Sequence, residues 1–431
     1  MKHQLSIAFI LITSILSAQN YVSYFTGNTS NITTTPEFGV CMMGGASEND
    51  NASQWFLERA NGGDIVVLRA SGSDGYNDYF YSDLGVNVNS VETLKILNLA
   101  GATDPYVLDK VANAEAIWFA GGDQYDYVSY FKDNEMEDLL NAHVNEKGGV
   151  IGGTSAGMAI LGGHYFDAQN GTITSALAIS EPYHNKVSIG HRDFLDIPYL
   201  KNVITDTHYD DPDRRGRHTV FMARIIADSE DPIRPIGLAC EEYTAICIDN
   251  EGAARVYGSY PAEEDYVYFI QPRCADYDPD VILLGAPLIW EDGVIAYKIP
   301  ATEDGLYAVD LNFFADLAID QDNTEWQQWS VYQNSNTLSV TESENPDCAL
   351  LSNQEVGSEN ILVYPNPFTN ALVIKNVPNA IITVVDVLGK KQNVIFNSAS
   401  ETLNTSHLPK GIYFLEVETE NGISVFKLMK N

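Results

Sequence analysis

Ser155 is the residue most plainly placed to do chemistry. It stands in Gly153-Thr154-Ser155-Ala156-Gly157, a G-x-S-x-G pentapeptide. That pattern exposes a serine hydroxyl on the sharp turn from a buried strand into a helix. The flanks fit, because Val150 and Ile151 end a β-like run and Ala156 to Leu161 can open a helix. Flanking glycines let the turn close and keep side chains clear of the hydroxyl. Such a turn serves nucleophilic attack on an acyl carbon, with the N–H of Ala156 available to the oxyanion. The pentapeptide alone also fits an idle glycine-rich turn, so its partners decide the matter.

A serine nucleophile needs a base, and the base an orienting acid. His164, His184, His191, His208 and His218 all follow Ser155, and His208 stands out. Val203 to His208 reads as a strand with the histidine at its carboxyl end, whereas the others lie in loop-like or helical surroundings. Downstream, an apolar run from Ile236 to Asp249 is interrupted by Glu241 and Glu242. One of the two is expected to face inward, where a lone carboxylate needs a partner such as a histidine. The order serine, histidine, acid differs from that of the α/β-hydrolases, where the acid precedes the histidine.

The elements that must position these residues alternate from about residue 37. Phe38–Met43, Asp64–Leu68, Ala116–Ala120 and Val150–Ile151 read as short buried strands. Ala52–Ala60, Val91–Leu99 and Asp133–Asn145 read as helices between them. Continuous apolar strands alternating with helices predict an α/β fold with a doubly wound, mostly parallel sheet, its site at the strands' carboxyl ends. Gly121-Gly122-Asp123-Gln124 falls at that same edge, so Gly121 or Gly122 can supply a second oxyanion donor.

These motifs, taken together, resemble the cyanophycinases. The resemblance rests on Gly121-Gly122-Asp123-Gln124, Gly152 to Gly157, Asp206-Thr207-His208-Tyr209 followed by Arg214 to Arg217, and Gly237 to Ala245 with Glu242. Cyanophycinases and aspartyl dipeptidases are serine peptidases on a flavodoxin-like, class I glutamine-amidotransferase-type fold. The resemblance covers about residues 37 to 260. It implies Ser155 as nucleophile, His208 as general base and Glu242 as orienting acid, with oxyanion donors at Gly122 and Ala156. It also implies a substrate pocket formed by Gln124, Asp206, Thr207, Arg214 and Arg217, with no metal or other cofactor. Thr207 stands where the family pattern has glutamine, and Pro212 where it has an arginine. The substrate implied is a polymer of β-aspartyl-arginine, whose carboxylates suit arginine forks. A dipeptidase for short α-aspartyl peptides and an inactive binding protein on the same fold remain alternatives.

Composition narrows the partners. The 431-residue chain holds 24 Lys+Arg against 59 Asp+Glu, a formal net charge of −35. Such acidity argues against nucleic acid and anionic membrane as partners. The N-terminus, with Lys2 and His3 before an apolar run from Leu5 to Leu16 and then Ser17-Ala18-Gln19, reads as a signal peptide over residues 1–19. The run is too short to span a bilayer. The 5 cysteines lack metal-ligand spacing; Cys41, Cys240 and Cys247 read as core, and Cys274–Cys348 as a conceivable disulfide.

Beyond the catalytic region, residues 261–340 read as a β-rich extension, Val281–Ile289 among its strands, and 341–360 as a polar linker. From Ile361 onward, short strands with a Glu420-Asn421-Gly422 hairpin signal make a small antiparallel β-sandwich. Tyr364 to Phe368, Asp386 to Lys390 and Leu408 to Tyr413 resemble the C-terminal sorting domain of type IX secretion substrates in gliding Bacteroidota. That resemblance implies the secretion machinery as a partner and a secreted or cell-surface product; a homodimer is one state the sequence leaves open.

Overall fold

A computed structural model describes residues 19–230, 232–274, 276–311 and 323–344. In the C-terminal region it describes 362–364, 368–375, 380–386, 390–392, 394–397, 402–419 and 422–430. The expected signal peptide lies outside these, apart from residue 19, as does most of the expected linker. The chain divides into two compact units, Met1–Pro346 and Asp347–Asn431.

The first unit opens with β1 (Tyr21–Gly27), β2 (Gly39–Met43), β3 (Asp64–Arg69), β4 (Ser90–Ile96), β5 (Ala116–Phe119) and β6 (Val150–Thr154). Then come β7 (His164–Phe166), β8 (Ile189–His191), β9 (Val203–Asp206), β10 (Ile236–Cys240), β11 (Ala245–Asp249) and β12 (Ala253–Tyr260). It ends with β13 (Tyr266–Pro272), β14 (Trp290–Pro300), β15 (Ala308–Asp310), β16 (Glu325–Val331) and β17 (Ser339–Ser343). One sheet has the order β1-β4-β3-β5-β6-β2-β11-β12-β15, the other β17-β16-β14-β13-β10-β9-β7-β8.

The inner strands of the first sheet, β4-β3-β5-β6-β2, are parallel and carry the doubly wound core. Successive residues of β5 show why both faces need helices. Trp118 meets Phe56 of helix Asp50–Glu58 and Phe80 on one face. Phe119 meets Tyr127 and Phe131 of helix Gln124–Phe131 on the other. The second sheet is mixed: β7, β9 and β10 run parallel, and β13, β14, β16 and β17 continue antiparallel. Helix Arg215–Asp228 buries Val220, Phe221 and Met222 in a cluster with Trp290 and Trp329.

Several expectations change. Val91–Leu99, expected as a helix, is mostly strand β4. Val91 and Leu94 mimic helical spacing, but β-branched residues and burial on both faces win. Glu92 is tolerated there because Ser23 and Tyr106 donate to it and Lys110 pairs with it at 3.1 Å. Val281–Ile289 is a loop closed by one bridge between its ends. Strand β17 runs through Ser343, so the first residues assigned to the linker belong to a sheet. Cys274 is disulfide-bonded, and its partner lies outside the described residues.

The second unit holds two four-stranded antiparallel sheets. Their shared core includes Phe368, Leu372, Leu403, Leu415 and Leu428. Strands Gly411–Thr419 and Gly422–Lys430 pair as a hairpin, with Thr419 opposite Gly422.

Candidate active site

The turn at Ser155 is forced by close backbone approach. A Cβ at Gly157 would lie 2.1 Å from the Phe119 carbonyl oxygen, and one at Gly153 would lie 2.7 Å from the Gly157 backbone. The N–H of Ser155 donates to the Met43 carbonyl at 3.0 Å, tying the turn to β2. Ser155 takes φ 51°, ψ −115°, a left-handed conformation that costs a non-glycine residue on the order of 1–3 kcal/mol. His208 (φ 46°) and Tyr243 (φ 65°) share this strain, so it gathers around one spot.

Strand β9 ends at Asp206, and His208 lies in the turn beyond it, not in the strand as expected. The turn is fixed by the His208 N–H, which donates to the Gly44 carbonyl at 2.9 Å. Ser155 Oγ lies 2.8 Å from His208 Nε2, and His208 Nδ1 lies 2.5 Å from Glu242 Oε1. Hydroxyl, imidazole and carboxylate therefore form one hydrogen-bonded line. Gly45, which carries no side chain to mark it in the sequence, supports that line. A Cβ there would stand 2.4 Å from His208 Nε2. Asp210, also missed, accepts the Glu242 N–H at 3.0 Å.

The inward-facing acid is Glu241, not the histidine's partner. Glu241 is 8% exposed and accepts from the Tyr266 N–H (2.8 Å) and the Tyr268 hydroxyl (3.1 Å). Glu242 is half-buried. Both acids occupy a turn between β10 and β11, which belong to different sheets. The buried acid does not turn to the histidine, because the Tyr266 N–H and the Tyr268 hydroxyl satisfy it. Burial, with Asp210 nearby, pushes the Glu241 carboxyl up to about 7.

Beside the serine lies an open cavity of about 330 Å³. Gly122, Gln124, Ala156, Thr207, Arg214 and Arg217 all line it, with Ser155 and His208. Gly122 takes φ +150°, and Gln124 Nε2 donates to the Phe166 carbonyl at 3.3 Å. Asp206 and Arg217 are both almost fully buried and form a two-pronged ion pair, Nε to Oδ2 at 2.8 Å and Nη2 to Oδ1 at 2.5 Å. Arg217 Nη1 also donates to Thr172 Oγ1 at 3.0 Å. Burial would raise the Asp206 carboxyl, but the Arg217 charge and hydrogen bonds hold it below the ordinary value.

Arg214 differs. It precedes the first residue of helix Arg215–Asp228, and its nearest approach to Asp206 is 4.0 Å. Its Nε is buried without a hydrogen-bond partner. Of the two expected carboxylate forks, Arg217 is thus already engaged and Arg214 is the one with capacity left. Among the described residues no cluster of three or more metal-ligating side chains is assembled, and no helix is long and apolar enough to cross a membrane.

The comparisons with known proteins make the chain a peptidase. Residues 47–256 match peptidase family S51, and residues 362–431 match the secretion system C-terminal sorting domain. The chain therefore carries a peptidase domain followed by a sorting domain of the type IX system, which directs proteins to the cell surface or beyond. Curated cyanophycinases of Synechococcus elongatus and Thermosynechococcus vestitus are each 25% identical to it over 246 residues, covering 55% of this chain and 69% of theirs. The crystal structure of a peptidase from an acI-B1 Actinobacterium aligns over 64% of this chain and 98% of its own, at 13% identity and a TM-score of 0.42.

Proposed function

We propose that the protein is an exported serine exopeptidase acting on β-aspartyl-arginine polymer or related aspartyl peptides. The observation that carries this is the Ser155–His208–Glu242 line, 2.8 and 2.5 Å, at the mouth of a cavity holding Arg214. Residues 1–19 act as signal peptide and 361–431 as the address for type IX export.

Ser155 Oγ attacks the peptide carbonyl carbon while His208 Nε2 takes its proton, and Glu242 stabilises the imidazolium through Nδ1. Backbone N–H groups of Gly122 and Ala156 receive the oxyanion. His208 then returns the proton to the leaving amine, and a water, deprotonated by the same imidazole, releases the acyl group. Arg214 receives a substrate carboxylate, and Arg217 holds Asp206 and the wall of the cavity. The similarity to cyanophycinases supports the polymer as substrate class.

The test is incubation of the mature protein with cyanophycin, with products identified by mass. Release of aspartyl-arginine dipeptide by wild type and not by Ser155→Ala is expected. Equal release by both would refute the nucleophile. Cleavage of α-aspartyl peptides alone would refute the substrate.

A further inference from the structure

Strand β7 touches a cavity at each end. Phe166 lines the serine cavity, and His164 lines a second one of about 340 Å³. His164 faces His191 directly across the β7–β8 pair. Their rings stand 5.3 Å apart at 75°, with the two Nδ1 atoms separated by 3.1 Å. Nothing in the proposed peptidase chemistry uses either side chain. His164 is 2% exposed, and its Nε2 has no hydrogen-bond partner.

Two neutral imidazoles at this separation share one proton between their Nδ1 atoms. A metal ion in place of that proton would take both lone pairs. For metal–nitrogen bonds of about 2.0–2.1 Å, nitrogens 3.1 Å apart subtend about 98° at the metal, between the square-planar and tetrahedral angles.

The surroundings suit a cation. The carboxylates of Asp228 and Glu230 line the same cavity. Arg192 lines it too, but its guanidinium is engaged by Asn202 Oδ1 and the Lys201 carbonyl. Asp228 is shared with Arg224 and Tyr183, so it faces the site as an outer charge.

We propose that His164 and His191 form a bis-imidazole site for a divalent late transition metal, with water in the remaining positions. Imidazole ligands at this angle select Zn²⁺ or Cu²⁺ over Mg²⁺ or Ca²⁺, which take oxygen donors. The bound ion would clamp the edge strand β8 to β7.

Zn²⁺ alone is the probe. Chelator-treated, untagged full-length protein dialysed against Zn²⁺ should take up one equivalent and show a higher thermal midpoint. His191 is exposed, so His191→Ala should fold as wild type by circular dichroism while binding Zn²⁺ at least about tenfold more weakly. His164→Gln, chosen to preserve volume at the buried position, should lose the same equivalent, and Mg²⁺ should replace none of it. Absence of uptake at about 100 µM free Zn²⁺, or uptake equal in wild type and both variants, would overturn the site.

Discussion

Ser155, His208 and Glu242 are three side chains held by backbone, and the backbone contacts expose the arrangement to small changes. Ser155→Ala and His208→Ala should each lower kcat by a factor of about 10³ or more, and the double variant by little beyond either. Glu242→Gln should fall between these and wild type. Gly45→Ala should behave like a triad variant although it removes nothing, because its methyl would occupy the position of the imidazole. Far-ultraviolet circular dichroism unchanged from wild type, with turnover lost, is the expected result. Glu241→Gln should retain turnover. Its readout is stability: the native carboxyl titrates near 7 and the unfolded one near 4.5, so the native state binds more protons between them. The stability associated with the protonated form is full below the unfolded value and is lost as pH rises through 7. The thermal midpoint of wild type should therefore drop relative to Glu241→Gln between pH 4.5 and 8.

At the scale of elements, helix Arg215–Asp228 separates two arginines that look equivalent in sequence. Arg217→Ala would strand the buried Asp206 carboxylate and should destabilise the fold by roughly 3–5 kcal/mol, read as a lower denaturant midpoint. Arg214→Ala breaks no close pair and should leave that midpoint within about 1 kcal/mol while raising KM for a carboxylate-bearing substrate. Strands β2, β3, β5 and β6 were legible because parallel core strands are apolar runs with no polar face to confuse them. Strand β4 was not, since its i, i+3 apolar pair imitates a helix and only tertiary partners make Glu92 acceptable. The serine turn and His208 were legible from type and spacing. Which of two adjacent glutamates serves the histidine was not a matter of hydrophobic pattern, because Tyr266 and Tyr268 come from a distant strand. Gly45 and Asp210 act through backbone geometry, which leaves no signature in a single sequence beyond the glycine itself.

For the whole molecule, every candidate site residue lies in the unit that ends at Pro346. A protein of residues 20–352, which keeps all 5 cysteines, should fold and turn over substrate like the full chain. In a host with type IX secretion, residues 1–352, which keep the proposed signal peptide, should stay in the periplasm, whereas the full chain reaches the surface or medium; cell fractionation separates the outcomes. His143 and His218 are buried and held neutral, each lowered to about 4. Between pH 6.5 and 4 the unfolded chain binds the extra protons, so stability should fall as pH falls through that window. Equilibrium unfolding of the 20–352 protein at pH 7, 5.5 and 4.5 would measure it.

The division of the triad between two sheets has a further consequence. Ser155 follows β6 in one sheet, His208 follows β9 in the other, and Glu242 rides the turn that passes between them. On the proposed chemistry, catalysis reports the seam between the sheets and not the integrity of either one. A hydrogen bond such as that from Ser155 to His208 tolerates little more than a few tenths of an ångström of sliding. Under rising denaturant, turnover should vanish while both sheets still give their full circular dichroism, making this peptidase a gauge of its own internal joint.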